Sequence, residues 1–331
     1  MRVFLTGGTG LLGSHLADRL TRGGHEVVAL HRRESDTRFL QELGCRLVEG
    51  DVRDDAGDLA QGMEGCTHLV HGAALVYSGG SWPRIRSINV DGTRNVFRAA
   101  DESGVPAGVH ISSVAVYGTV EGPVDETAPT DTPLPPGDLY ARSKREAEKA
   151  ARVVVADAGI ALATLRPVAV YGERDRLMAL RLAKMVMAPV TFLLGRGDNT
   201  LPAVYAGNVA GAVVAALDAL SRGTGVGTWN VGVDHPVTQR QLLEGLARGM
   251  GRRPRFIPVP APLVLGAADV LERLGVSAPG AEHLPMGRVA RLAVRSNPYT
   301  SDAIRRDLQW APDVSLEEGL ERTGRWLRDV V

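Results

Sequence analysis

The run Tyr140-Ala141-Arg142-Ser143-Lys144 places a phenol and an ammonium four positions apart. On a helix that spacing puts both groups on one face. A phenol titrates near about 10, so it needs help to exchange a proton at neutral pH. A neighbouring ammonium gives that help by stabilising the phenolate. Tyr140 could then give a proton to a carbonyl oxygen as hydride arrives, or take one from a hydroxyl in the reverse direction. Lys144 would also hold the ribose of a nicotinamide. The chain has six tyrosines but only the lysines Lys144, Lys149 and Lys184. Chance therefore gives roughly 0.05 such pairs in a chain of this composition, which argues against an ordinary solvated face. Upstream, Ile111-Ser112-Ser113 closes an apolar run. A serine hydroxyl there could hydrogen-bond the reacting oxygen and orient it against Tyr140. Ser113 is the first choice and Ser112 the second; two serines satisfying a strand-end backbone are the bland alternative.

A second constellation lies at the start of the chain, in TGGTGLLGSHL. Gly8, Gly10 and Gly13 satisfy G-x-G-x-x-G, and Gly7, Gly10 and Gly13 satisfy G-x-x-G-x-x-G. Such glycines allow a tight turn, close approach of a pyrophosphate to the backbone, and helix-on-strand packing. A helix beginning near Gly10 would aim its free N–H groups and positive dipole end at the phosphates. The expected cradle is Gly7, Gly8, Thr9, Gly10, Leu11, Leu12 and Gly13. The next apolar run ends in His31-Arg32-Arg33, with no acid until Glu34. A carboxylate there would bind a ribose 2′-hydroxyl, whereas a guanidinium pairs with a 2′-phosphate. NADP is therefore expected over NAD, with Arg32 the first clamp and Arg33 the second. Asp51 could accept from the adenine amino group, with Val52 beside it. Ala73 and Ala74 are small enough to let the backbone approach the dinucleotide.

These residues need a frame. Val3 to Thr6, Glu26 to Leu30, Arg46 to Val48, Thr67 to Val70 and Gly108 to Ile111 read as buried strands. Leu11 to Thr21, Asp55 to Met63 and Ile88 to Ser103 have helical spacing. The alternation predicts an α/β fold, a doubly wound parallel Rossmann sheet. Both constellations then fall at the carboxyl ends of strands, where such sheets bind ligands. A long helix is expected from near Asp138, then a strand from Ala161 to Leu165 closed by Arg166-Pro167. Beyond Tyr171 prolines break the pattern. The expected division is a Rossmann domain over 1–170, with 204–232 returning to it, and a smaller discontinuous substrate domain over 171–203 and 233–331. A helix is expected over Val209 to Leu220, with Asn208 as its N-cap. The apolar segment Phe256 to Leu274 could roof an apolar pocket or simply pack as core.

Composition excludes several classes. The 331 residues are 44% hydrophobic, with 38 basic and 38 acidic side chains. That balance does not suit a nucleic-acid binder. Cys45 and Cys66 make neither a disulfide framework nor a zinc pattern. The eight histidines show no metal-ligand spacing, so no metal is expected. No uncharged apolar stretch approaches the ~20 residues of a membrane span, and no signal peptide is read. A cytoplasmic enzyme acting on a small molecule is the default expectation.

TGGTGLLG, the Tyr140/Lys144 pair, SSVAVYG, INVDGTRNV, LRPVAVYG and the LQWAP tail occur in this order over nearly the whole chain. In this the chain resembles the extended short-chain dehydrogenase/reductases. The resemblance implies a Ser113, Tyr140 and Lys144 triad with Asn89 beside it. It places Pro167 and the adjoining Val168 near the nicotinamide, and implies a homodimer. Within the family, dehydratases carry Asp-Glu where this chain has Val114-Ala115. Epimerases hold a diphosphate with an arginine where this chain has Leu201-Pro202, although Arg174, Arg176, Arg181 or Arg196 could compensate. The nearest resemblance is to 3β-hydroxysteroid dehydrogenase-like and dihydroflavonol reductase-like enzymes. The expected activity is NADP-dependent hydride transfer between a ketone and a secondary alcohol on an apolar substrate. A nucleotide-sugar 4-epimerase with bound NAD and a non-catalytic NADP sensor are the alternatives.

Overall fold

A computed structural model describes the chain apart from residues 77–80, 121, 136, 177, 233–234 and 274–295. In the first half, strands and helices alternate: β1 (Arg2–Thr6), α1 (Leu11–Arg22), β2 (Glu26–His31), α2 (Arg38–Glu42), β3 (Arg46–Glu49), α3 (Ala56–Gly62) and β4 (His68–His71). There follow α4 (Trp82–Arg86), a π-helical turn (Ser87–Asp91), α5 (Gly92–Glu102), β5 (Ala107–Ile111), α6 (Leu139–Ala158) and β6 (Ala161–Pro167). The helix expected over Ile88 to Ser103 is thus interrupted. The π turn inserts one residue into the helical ladder, and Asn89 sits in it.

The remainder holds β7 (Ala169–Tyr171), α7 (Ala179–Met187), β8 (Val190–Leu194), β9 (Ala203–Tyr205), α8 (Ala206–Ser221), β10 (Gly227–Val231), α9 (Gln239–Gly249), β11 (Arg255–Val259) and α10 (Ala261–Arg273). Two further helices are α11 (Asp302–Asp307) and α12 (Leu316–Val330). Among the described residues, seven parallel strands run β10-β6-β5-β4-β1-β2-β3. The winding reverses between β1 and β4, and this switch point opens the crevice used by ligands in such sheets. Strand residues feed two cores alternately. Val3 and Leu5 join α1 and α8 on one face, and Phe4 joins α3 and α5 on the other. A third core gathers α7, α9 and α12 in the smaller part. Phe256 packs against it, so part of the Phe256 to Leu274 segment is core; Leu274 lies outside the described residues.

Asn208 is a correction. Helix α8 begins at Ala206, directly after β9, with Tyr205 at the cap position. Asn208 therefore lies inside the helix, fully buried. Its amide donates to the Val314 carbonyl (2.9 Å) and accepts from the N–H groups of Asp313 (3.2 Å) and Val314 (3.0 Å). Its own carbonyl accepts from the Trp310 indole at 3.1 Å. The side chain thus fastens the C-terminal tail to α8. Asn208→Ala is expected to destabilise the fold by about 2–3 kcal/mol, because it strands buried backbone groups. Urea unfolding measures this, and an unchanged midpoint would refute the tail-fastening role.

Candidate functional site

The turn after β1 shows which glycines are required. Gly7 has φ +78°, and a Cβ there would lie 2.8 Å from the Ala73 nitrogen. A Cβ on Gly13 would lie 2.0 Å from the Gly7 carbonyl oxygen. Gly10 closes the turn by donating to that same oxygen at 3.0 Å. Gly8 meets only ordinary contacts, the nearest at 3.4 Å. The structure thus requires glycine at Gly7 and Gly13, and of the two spacings in the sequence it favours the one that begins at Gly7. Thr9 and Gly10 are exposed, and Leu11 and Leu12 half-buried, where α1 begins with no side-chain cap. Its first N–H groups therefore remain available to an anion. Thr6 Oγ1 accepts from the N–H groups of Gly72 and Ala73, both at 3.2 Å. This draws the loop after β4, with the half-buried Ala74, against the cradle. These close backbone approaches fit a dinucleotide pyrophosphate.

On the adenosine side, Arg32 and Arg33 directly follow β2, with side chains 57% and 90% exposed. Arg32 pairs loosely with Glu34 at 3.3 Å and Arg33 with Glu49 at 3.9 Å. Asp36 is taken by Arg38, through bonds of 2.9 and 2.8 Å, and these hold its carboxyl well below the usual range. Asp51 is gripped by Arg53 in the same way, at 2.9 and 2.8 Å, which lowers its pKa. Any adenine contact from Asp51 would share the carboxylate with Arg53. Val52 is buried against the start of α5.

Two arginines weighed as diphosphate binders turn towards this same side. Arg174 donates to Ser14 Oγ at 2.8 Å and lies 4.1 Å over the Phe39 ring. Arg176 reaches Asp36 at 3.3 Å. Arg174 also has φ +68°, a strained backbone for a non-glycine residue. No sequence signal foretold that placement.

Hydrogen bonds tie Lys144 on α6 to the end of β5, and Asn89 in the π turn to α6. Asp138 caps α6 by accepting from the Ala141 N–H at 3.1 Å, which sets Tyr140 in the first turn and Lys144 one turn on. Lys144 is 4% exposed, and its Nζ donates to the Ile111 carbonyl at 2.9 Å. It is thereby tied to the end of β5, two residues before Ser113. Burial pushes the Lys144 ammonium down to about 8, against an opposing pull from Glu148. Ser113 begins a one-turn 3-10 helix (Val114–Tyr117). Its Oγ accepts from the Ala115 N–H at 3.2 Å, so its proton is left to donate.

Ser112 is turned inward. Its buried hydroxyl donates to Glu148 Oε1 at 2.6 Å, so its side chain does not serve the reacting oxygen. Asn89 is 2% exposed. Its amide accepts from the Leu75 N–H (2.7 Å) and donates to the Leu75 carbonyl (3.1 Å) and Ser143 Oγ (2.9 Å). It thus fastens the loop after β4 to the residue before Lys144. Pro167 and Val168 are buried at the end of β6 beside Val231. Among the described residues no cluster of potential metal ligands occurs, and no helix is long and apolar enough to cross a membrane.

Comparison with known proteins fits this geometry. The model of the NAD dependent epimerase/dehydratase family matches residues 3–232. The chain is 30% identical over 332 residues to a 2-alkyl-3-oxoalkanoate reductase of Stenotrophomonas maltophilia, covering 97% of this chain and 98% of the relative. It is 28% identical to a 3-beta-hydroxysteroid dehydrogenase of Mycolicibacterium neoaurum, covering 96% and 89%. Among solved structures, the Thermus thermophilus UDP-glucose 4-epimerase in complex with NAD superposes over both whole chains with a TM-score of 0.72 and 26% identity.

Proposed function

We propose that this chain, which belongs to the NAD dependent epimerase/dehydratase family and is an oxidoreductase of the extended short-chain type, transfers hydride between NADPH and a ketone or secondary alcohol on an apolar substrate. The reading is supported by the Lys144–Ile111 bond, which ties the helix turn after Tyr140 to the end of β5, two residues before Ser113, at the same carboxyl-end edge of the parallel sheet as the Gly7–Gly13 turn after β1. The bound dinucleotide supplies or accepts the hydride. Ser113 donates a hydrogen bond to the carbonyl oxygen and fixes its direction. Tyr140 delivers the proton to that oxygen, or removes it in the oxidative direction. The Lys144 ammonium, anchored on Ile111, favours the phenolate that remains.

Two features support a reductase over a nucleotide-sugar epimerase. Leu201-Pro202 puts apolar groups just before β9, where epimerases carry an arginine. Two of the four arginines that could compensate, Arg174 and Arg176, face Ser14 and Asp36 instead. The retained Tyr140/Lys144 pair weighs against a mere sensor. NADP is preferred over NAD because Arg32 and Arg33 are the groups that follow β2.

Titration with NADPH and NADH, followed by nicotinamide fluorescence, tests this reading. NADPH is expected to bind at least about tenfold tighter, the worth of one charge-assisted pair. Arg32→Asp is expected to reverse the order. Equal affinities, or tightly retained NAD, would overturn the 2′-phosphate assignment and bring the epimerase reading forward.

A further inference from the structure

The face of α6 that carries Tyr140 and Lys144 continues to Glu148, again four residues on. Glu148 is 2% exposed, yet its carboxylate is saturated. It accepts from Ser112 Oγ at 2.6 Å, from Arg166 Nε at 2.8 Å and Nη2 at 2.7 Å, and from Arg152 at 3.4 Å. Arg166 is itself 4% exposed. Its Nη1 donates to the Tyr117 hydroxyl at 2.9 Å, which donates on to Asn230 Oδ1 at 2.8 Å. Three segments of the site therefore end on one carboxylate. Ser112 precedes Ser113, Arg166 precedes Pro167, and Glu148 follows Lys144 by one helical turn. A buried ion pair is a poor device for stability alone, since apolar side chains of equal volume often do as well or better. What they lack is direction and fixed charge.

We propose that Glu148, clamped by Arg166, is a positioning residue of the hydride-transfer site. It fixes Ser113, Lys144 and Pro167 relative to one another and supplies the negative charge that faces the Lys144 ammonium. The roles of Ser113 and Pro167 rest on the function proposed above; the charge on Lys144 does not. The titratable groups around Lys144 are Tyr140 and Glu148 on its own helix, His71 at the end of β4 and His110 on β5. Arg152 and Arg166 lie behind Glu148. Burial holds both histidines neutral, well below their ordinary value. Glu148 is thus the group that opposes the effect of burial on Lys144. Glu148→Gln removes that charge and leaves Arg166 uncompensated, so Lys144 must give up its proton at lower pH.

The test exploits the scarcity of lysine. With Lys144, Lys149 and Lys184 as the whole set, ¹³Cε-lysine NMR of the intact protein follows each titration, and Lys144→Met assigns the buried one. In the wild type one resonance should titrate near pH 8. Glu148→Gln should move it down by at least about one pH unit, and the alkaline limb of turnover should follow. The double variant Glu148→Gln/Arg166→Met removes the stranded Arg166 charge as well. Its Lys144 should titrate between the other two, and it keeps the test open if the single variant does not fold. Ser112→Ala should leave the titration in place while turnover falls about tenfold, the worth of one hydrogen bond to a charged group. A Lys144 titration unchanged in the Glu148 variants would overturn the charge role. Unaltered turnover in Ser112→Ala would overturn the positioning role. A shifted titration in a protein that reduces no ketone would instead sink the reductase reading and leave the charge role standing.

Discussion

Tyr140→Phe should lower turnover by about 10²–10⁴-fold, the usual worth of a positioned proton donor, while NADPH affinity stays as it was. The two halves follow from different parts of the structure. The dinucleotide is expected to be held by the Gly7–Gly13 turn, by Arg32 and by Lys144, whose ammonium is anchored on the Ile111 carbonyl and not on Tyr140. Phenylalanine keeps the ring and so disturbs none of these. The hydroxyl alone is lost, and with it the proton that must reach the substrate oxygen. Ser113 can still orient that oxygen but cannot protonate it at a comparable rate. Fluorescence titration and steady-state turnover on the same sample check the result. Turnover near the wild-type rate would mean that another group donates the proton, and that the mechanism assigned to the α6 pair is wrong. A loss of affinity equal to the loss of rate would instead make Tyr140 a binding residue.

Gly13→Ala has the largest expected effect on the cofactor itself. The added methyl would sit 2.0 Å from the Gly7 carbonyl oxygen and 2.6 Å from its carbon. Backbone, not a flexible side-chain tip, must give way. The Gly7 oxygen also closes the turn by accepting from Gly10, so pushing it aside moves the first turn of α1 away from the phosphate position. A displacement of about 1 Å is enough to cost about 100-fold where geometry is strict. NADPH affinity is expected to fall by at least that factor, and overpacking should take about 1–3 kcal/mol from stability. Gly8→Ala is the control, since its new methyl meets only van der Waals neighbours at 3.4 Å or beyond; it should leave stability near wild type. Calorimetric unfolding and NADPH titration of both variants decide the matter, and equal behaviour of the two would refute the steric account of the turn.

Much of the frame could be read from the sequence because each strand is an apolar run between punctuating glycines and polar turns. β1, β2, β3 and β5 fall where periodicity put them, and α1 begins at the expected Leu11. The glycine turn was legible as a motif but ambiguous in register. Both spacings fit the letters and share Gly10 and Gly13; only the positive φ and close contacts at Gly7, against the ordinary contacts at Gly8, separate them. Serine posed a similar problem. Ser112 and Ser113 are neighbours just past the end of β5, and which of them turns inward depends on the carboxylate that α6 delivers. Glu148 itself could have been found, since it extends the four-residue ladder Tyr140, Lys144, Glu148. Asn208 misled because Asn near a helix start is ordinarily a cap. Here the helix starts two residues earlier, and the amide binds a tail more than 100 residues away. The smaller part was least legible, because its strands β7, β8 and β9 are short and pair with segments distant in sequence.

The fastening of the tail has a consequence for the order of assembly. Arg19 on α1 pairs with Asp313 at 2.7 Å, and Asn208 on α8 holds Val314. Helix α1 also packs directly on α8, so the layer behind the cradle is sealed by residues made about 300 positions after the cradle itself. At roughly 5–20 residues per second, some 15–60 s separate the synthesis of Gly7 from that of Val314. For that interval the emerging nucleotide-binding half presents an incompletely covered apolar layer. Its exposure during translation, and with it the demand for chaperones, is set by elongation rate and not by the equilibrium stability of the finished fold.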